Sequence, residues 1–203
     1  NDGLKNDPCG KSLLICQNWS GALIEPVPYI FNKLRKNYSN KRFSLHQIAI
    51  SNENLYKNFY TLNCDELKKD KLSSKFYKNY FDEISSFDIG LIKKHLNKEC
   101  YKYIYSIKVE AMTLQRFIES EFSFKPNFLH IDTEGHDFIV LKSLNLSIYK
   151  PDIILLEHQH LSDKLKIKLF QTLKENKYFY FRSNSDTLAV LNFLDYVIIS
   201  SIS

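Results

Sequence analysis

Asn127 to His160 reads NFLHIDTEGHDFIVLKSLNLSIYKPDIILLEHQH, and this stretch decides the fold. It holds two short apolar runs, Phe128–Ile131 and Ile153–Leu156, each followed by acids and histidines. Short apolar runs bounded by turn signals suit strands buried on both faces of a parallel sheet. Between them Phe138, Leu141 and Leu144 recur at helical spacing, so strand, helix and strand make one crossover unit. Ligands of open parallel sheets bind beyond the carboxyl ends of the strands. Asp132, Glu134, His136, Glu157, His158 and His160 all fall there.

Working outward, the same alternation continues on the N-terminal side. Ala22-Leu23-Ile24 is a short strand closed by Glu25 and Pro26. Pro28 then opens a helix with Ile30, Phe31, Leu34 and Tyr38 on one face, and Phe43–Ser51 reads as the next strand. A short helix is expected between Gly10 and Trp19. Residues 52–102 break the rhythm as an insertion, with an edge strand at Asn58–Leu62, an aromatic and Lys mixture at Lys75–Phe81, and a helix after Asp88. Aromatic faces beside cations could form a lid or substrate platform, while an irregular insertion packed on the sheet edge explains the same residues. Ile104–Val109 leads to Thr113, a helix cap. Ser162 or Asp163 caps a further helix, and strands at about Tyr178–Arg182 and Leu188–Ile199 close the chain as an antiparallel pair.

At 203 residues the chain suits one α/β domain over residues 1–203. The net charge of +5 comes from lysines scattered over helices and loops rather than gathered in a stripe, which disfavours a nucleic-acid partner. Cys9, Cys16, Cys64 and Cys100 form no CxxC pair, so they read as idle thiols of a reducing, cytoplasmic compartment. No apolar run reaches the roughly eighteen residues of a membrane span, and a soluble protein is expected. No GxGxxG is present, which disfavours a nicotinamide-dependent oxidoreductase.

Taken together, NDG…NDP, GALIEPVPYIFNKLRKNY, QIAIS, SFDIGLIKKHL, VEAMTLQRF, FLHIDTEGHDFIVLKSL and PDIILLEHQHL resemble the FkbM-type S-adenosylmethionine-dependent methyltransferases. The pieces run in family order over nearly the whole chain. The resemblance implies a Rossmann-like class I fold: a seven-stranded, mostly parallel sheet with an antiparallel last strand and helices on both faces. It implies O-methylation of a hydroxyl on a sugar or other small metabolite, with S-adenosylmethionine as cofactor. The cofactor set it implies is Asp2, Gly3, Glu25, Pro26, Ser51, Asp132 and Glu134.

The chemistry of these residue types agrees with that assignment. A carboxylate at a strand end, here Glu25, can accept both hydroxyls of an adenosyl ribose, at ~1.5–3 kcal/mol for a hydrogen bond to a charged group. Asp132 and Glu134 suit the methionine ammonium or the acceptor, although capping the next helix would also explain them. Methyl transfer to a hydroxyl releases a proton, and a neutral imidazole can take it, so His158 or His160 is the expected base alongside Asp132. Each could instead hydrogen-bond a loop carbonyl. His130, inside an apolar strand, reads as a satisfied core histidine. The acids and histidines of the two strand ends could also ligate Mg²⁺ or Zn²⁺, but caps and loop contacts account for them, and no metal is expected.

The family's first, central strand and most of its glycine-rich turn have no counterpart before Asn1. Four buried aliphatic side chains there would contribute roughly 6–12 kcal/mol, comparable with the net stability of a domain. The expectation is therefore a fragment of a longer reading frame, or a slot filled by another segment or by strand exchange in a homodimer. A catalytically silent domain with weak cofactor binding is the alternative function.

Overall fold

A computed structural model describes residues 8–15, 18–38, 42–71, 73–82 and 84–191. Asp2, Gly3 and the rest of the expected glycine-rich turn lie outside the described residues, as does the far end of the last expected strand. The chain divides into two compact units, Asn1–Ile50 with Asn54–Met112, and Ser51–Glu53 with Thr113–Ser203.

In the first unit, helix α1 (Pro8–Ile15) precedes strand β1 (Gly21–Ile24), helix α2 (Pro28–Asn37) and strand β2 (Phe43–His46). β1 and β2 are parallel, with Gly21 opposite Phe43 and Ile24 opposite His46. Pro28 opens α2, where its missing N–H is no loss. Ile30 and Leu34 turn inward, and Leu34 joins Tyr38 and Phe43 in a small core. The Tyr38 and Phe43 rings meet edge to face at 5.4 Å.

The single strand expected over Phe43–Ser51 is in fact two. Residues 43–46 ladder with β1, while β3 (Ala49–Ser51) belongs to a second sheet of order β3-β5-β4, with β4 at Leu55–Leu62 and β5 at Ile104–Thr113. The chain leaves β geometry at residues 47–48, between its pairing with β1 and its pairing with β5. β4 and β5 are antiparallel, and β4 is an edge strand as expected. Segment 52–102 carries a core of its own. Helices α3 (Cys64–Lys69) and α4 (Ile89–Lys94), with 3-10 turns at Ser74–Phe76, Asn79–Asp82 and Lys98–Tyr103, enclose Leu67, Phe81, Ile92 and the thiols of Cys64 and Cys100. Burial pushes the Cys100 thiol up, which keeps it protonated and unreactive.

In the second unit, helix α5 (Leu114–Glu121) leads to β6 (Phe128–Ile131), α6 (Asp137–Lys142) and β7 (Ile153–Glu157), the crossover that opened the sequence reading. β6 and β7 are parallel, with Phe128 opposite Ile153 and Ile131 opposite Leu156. Helix α7 (Asp163–Glu175) follows, and β8 (Tyr178–Arg182) and β9 (Asp186–Leu191) complete a sheet of order β6-β7-β9-β8. β9 runs antiparallel to both neighbours, as the family's last strand should.

Burial corrects two expectations in this sheet. One face is fully buried at Ile131, Ile154, Leu156, Thr187 and Ala189, but Phe128, Ile153, Leu155 and Leu188 on the other are half-buried or exposed. The apolar runs are therefore not covered equally on both sides. His130 lies on that second face, exposed and stacked at 6.3 Å on Phe128, and is not a core histidine. Among the described residues hydrogen bonding also divides the strands among three sheets, where one continuous seven-stranded sheet is expected. The described structure is mixed α/β, and among the described residues no helix is long and apolar enough to cross a membrane.

Candidate active site

Glu25 follows the last residue of β1 in the first unit. A solvated strand-end acid would be exposed, yet Glu25 is buried, and its Oε1 accepts the Val27 N–H at 2.7 Å. Its own N–H donates to the His46 carbonyl at 3.1 Å, extending the β1–β2 ladder by one bond. Pro26 beside it is half-buried. The ladder thus fixes the Glu25 backbone, and the Val27 N–H orients its carboxylate.

The remaining described candidates belong to the second unit. Ser51 is fully buried, and its hydroxyl donates to Asn52 Oδ1 at 3.1 Å. A hydroxyl has one proton, so its 3.1 Å bond with His136 Nε2 requires the imidazole nitrogen to be the donor.

After β6 the chain turns sharply through Asp132-Thr133-Glu134-Gly135. Glu134 has φ 52° and Gly135 φ 91°, both in the left-handed region, where glycine is at ease and glutamate is not. Capping α6 was the alternative reading of Asp132 and Glu134, but the helix has no side-chain cap. Asp137, its first residue, instead braces the turn: its Oδ1 accepts from Thr133 N and its Oδ2 from Gly135 N, both at 3.0 Å. Burial pushes the Asp137 carboxyl up to about 7, against the pull of those backbone bonds. Asp132 is exposed, and the Glu134 side chain reaches His160.

His160 Nε2 lies 3.4 Å from Glu134 Oε2 and 3.7 Å from Glu157 Oε1. An imidazole therefore stands between two carboxylates, one from the loop after β6 and one from the end of β7. Glu157 is the unusual member. Burial pushes it up to about 8, and the charges of Glu134, Asp132, Asp137 and Asp186 add to that. Its Oε2 is buried and has no hydrogen-bond partner among the described residues. A buried carboxyl oxygen without a donor favours the protonated state.

His158 is placed differently. It is buried, with Nδ1 2.9 Å from Thr187 Oγ1 and its ring edge-on to Phe170 at 5.9 Å. Burial lowers its pKa, and Lys166 lowers it further, so the ring is neutral at pH 7. The structure thus gathers Glu134, Glu157 and His160 and turns His158 toward β9. Of the six ligand types at the two strand ends, His136 is taken up by Ser51 and His158 by Thr187.

Sequence reasoning missed the roles of Asp137 and Glu157. The first had a signal, an acid at the first helical position just after an acid-glycine turn. The second had none, because its ionisation depends on burial and on acids 20 to 29 residues away in sequence.

In an α/β frame, acids just beyond the carboxyl ends of parallel strands stand where ligands of such sheets bind. Within α/β proteins of this kind the family can be stated. A model of the methyltransferase FkbM domain matches residues 7–196, and the chain belongs to that family, whose members are methyltransferases. No curated protein and no solved structure matches the chain significantly.

Proposed function

We propose that the protein transfers a methyl group from S-adenosylmethionine to a hydroxyl of a sugar or other small metabolite. The observation that carries this reading is His160, held between Glu134 and Glu157 at the carboxyl ends of two parallel strands. An acceptor hydroxyl must lose its proton as its oxygen gains the methyl group, and an imidazole is the side chain best matched to take it near pH 7. Glu134 stabilises the imidazolium that results. Glu157, neutral beforehand, ionises more readily once a positive charge stands beside it. His158, engaged by Thr187 and Phe170, serves to hold the β7–β9 end in place.

The residues fit the cofactor by their donor and acceptor chemistry. Its ribose and ammonium present donors, and Glu25, Asp132 and Glu134 present acceptors. Glu25 would hold the ribose hydroxyls, with its orientation set by the Val27 N–H. When bound, S-adenosylmethionine supplies an electrophilic methyl group on a sulfonium. Ser51 is buried and Pro26 half-buried, each at its own strand end, and neither adds charge.

The test is transfer of isotopically labelled methyl from S-adenosylmethionine to a panel of sugars and small hydroxyl compounds. The expected outcome is a labelled methyl ether with at least one acceptor, a 10²–10⁴-fold loss in His160→Ala, and a smaller loss in His158→Ala. Full turnover by His160→Ala would remove it as the base.

A further inference from the structure

In the first unit, Lys75, Phe76, Tyr77, Lys78, Phe81, His95 and Asn97 line a cavity of about 400 Å³. We propose that this cavity is a binding site for a sugar-sized anion, a polyhydroxylated ring carrying one phosphate or carboxylate. Its lining residues all come from segment 52–102.

Charge makes the first part of the case. Two lining residues are lysines, and no described lining residue is an acid. Among the described residues neither ammonium is paired with a carboxylate. Each instead sits over a ring, Lys75 at 5.0 Å from the centre of Phe76 and Lys78 at 5.6 Å from that of Tyr80. A cation held over an aromatic face keeps its outward N–H groups for an anion, and lysine binds phosphate as a point charge. By contrast, the nearby Lys102 is already committed to Asp70 at 2.6 Å.

Shape and polarity make the second. The volume is in the range of small-ligand sites and would leave a bare phosphate mostly in water. Tyr77 and Tyr80 both meet Phe81 edge to face, at 5.9 Å and 5.2 Å. Lys68 covers Tyr77 at 4.4 Å, as Lys75 covers Phe76. Ring faces already covered by lysine leave a flat base less to stack on, whereas a sugar's hydroxyls suit cations and a neighbouring amide. Asn97 Oδ1 caps the Glu99 N–H at 3.4 Å, which leaves the amide N–H₂ outside that bond. Burial, with Lys94 nearby, lowers the His95 pKa, so this lining ring adds no positive charge at pH 7.

Calorimetric titration of the full chain with glucose 6-phosphate, glucuronate, glucose, inorganic phosphate and adenosine 5′-monophosphate tests the proposal. At least one of the two sugar anions should bind saturably with Kd of about 1 mM or tighter, and glucose at least tenfold more weakly. Lys75→Gln combined with Lys78→Gln should weaken the sugar anion about tenfold or more. Both positions are exposed, and a melting temperature shared with the parent chain confirms the fold. Amide shifts of the parent chain give a readout free of mutation, and they should cluster within residues 75–97. Failure of both sugar anions to bind, undiminished affinity in the folded double variant, or shifts elsewhere would overturn the site. Inorganic phosphate or the nucleotide binding as tightly as the sugar anions would overturn the ligand class.

Discussion

Glu157 shows how a residue acquires properties that its sequence neighbours do not give it. Its folded-state pKa, at about 8, lies above the ordinary carboxyl value, as does that of Asp137, at about 7. The folded chain therefore holds more protons than the unfolded chain between about pH 4 and 8, and stability must fall as pH rises through that window. Urea unfolding at pH 5.5 and 8.5 should show the decline. Glu157→Gln, which resembles the protonated form, should flatten it and raise stability at the higher pH; an unchanged profile would show that Glu157 is ionised in the folded state. Gly135, at φ 91°, supports a second prediction. Gly135→Ala places a Cβ in the left-handed region and should cost about 1–2 kcal/mol in the same measurement. A loss below a few tenths would mean that the turn relaxes freely.

Elements were legible where their ends carry recognisable side chains. Helix α5 is the clearest case. Thr113 Oγ1 accepts from Arg116 N at 3.2 Å, while Ser143 Oγ and its carbonyl accept from Leu114 N and Gln115 N at 2.8 and 3.3 Å. Thr113→Ala should therefore cost about 0.5–2 kcal/mol, and Ser143→Ala should add to it, because each removes a different acceptor from the first turn. Additive losses in denaturant midpoints would bear this out; a silent Thr113→Ala would not. Asp88, whose Oδ1 accepts from Gly90 N at 2.7 Å, made α4 readable in the same way. The break at residues 47–48 was not legible, since Phe43–Ser51 alternates well enough for one strand and only its two sets of partners reveal the bend. His130 failed for a related reason. An apolar run says that a strand is buried somewhere, but not which face is covered.

For the whole molecule, the order of motifs carried the family, because strand-end acids, caps and turns recur in one sequence over most of the chain. What order could not convey was assembly: the three sheets of the described residues, two compact units and a separate core in segment 52–102 depend on long-range pairing. The site was legible as a list of strand-end residues. Its internal division, with His160 between carboxylates and His158 turned to Thr187, followed only from the geometry. The central claim is that these strand ends hold S-adenosylmethionine, and calorimetric titration of the chain with that cofactor and its demethylated product addresses it directly. The account predicts micromolar binding, weakened about 10- to 100-fold in Glu25→Gln, which removes the charge but keeps an oxygen for the Val27 N–H. No binding by the folded chain, or equal affinity in Glu25→Gln, would contradict it.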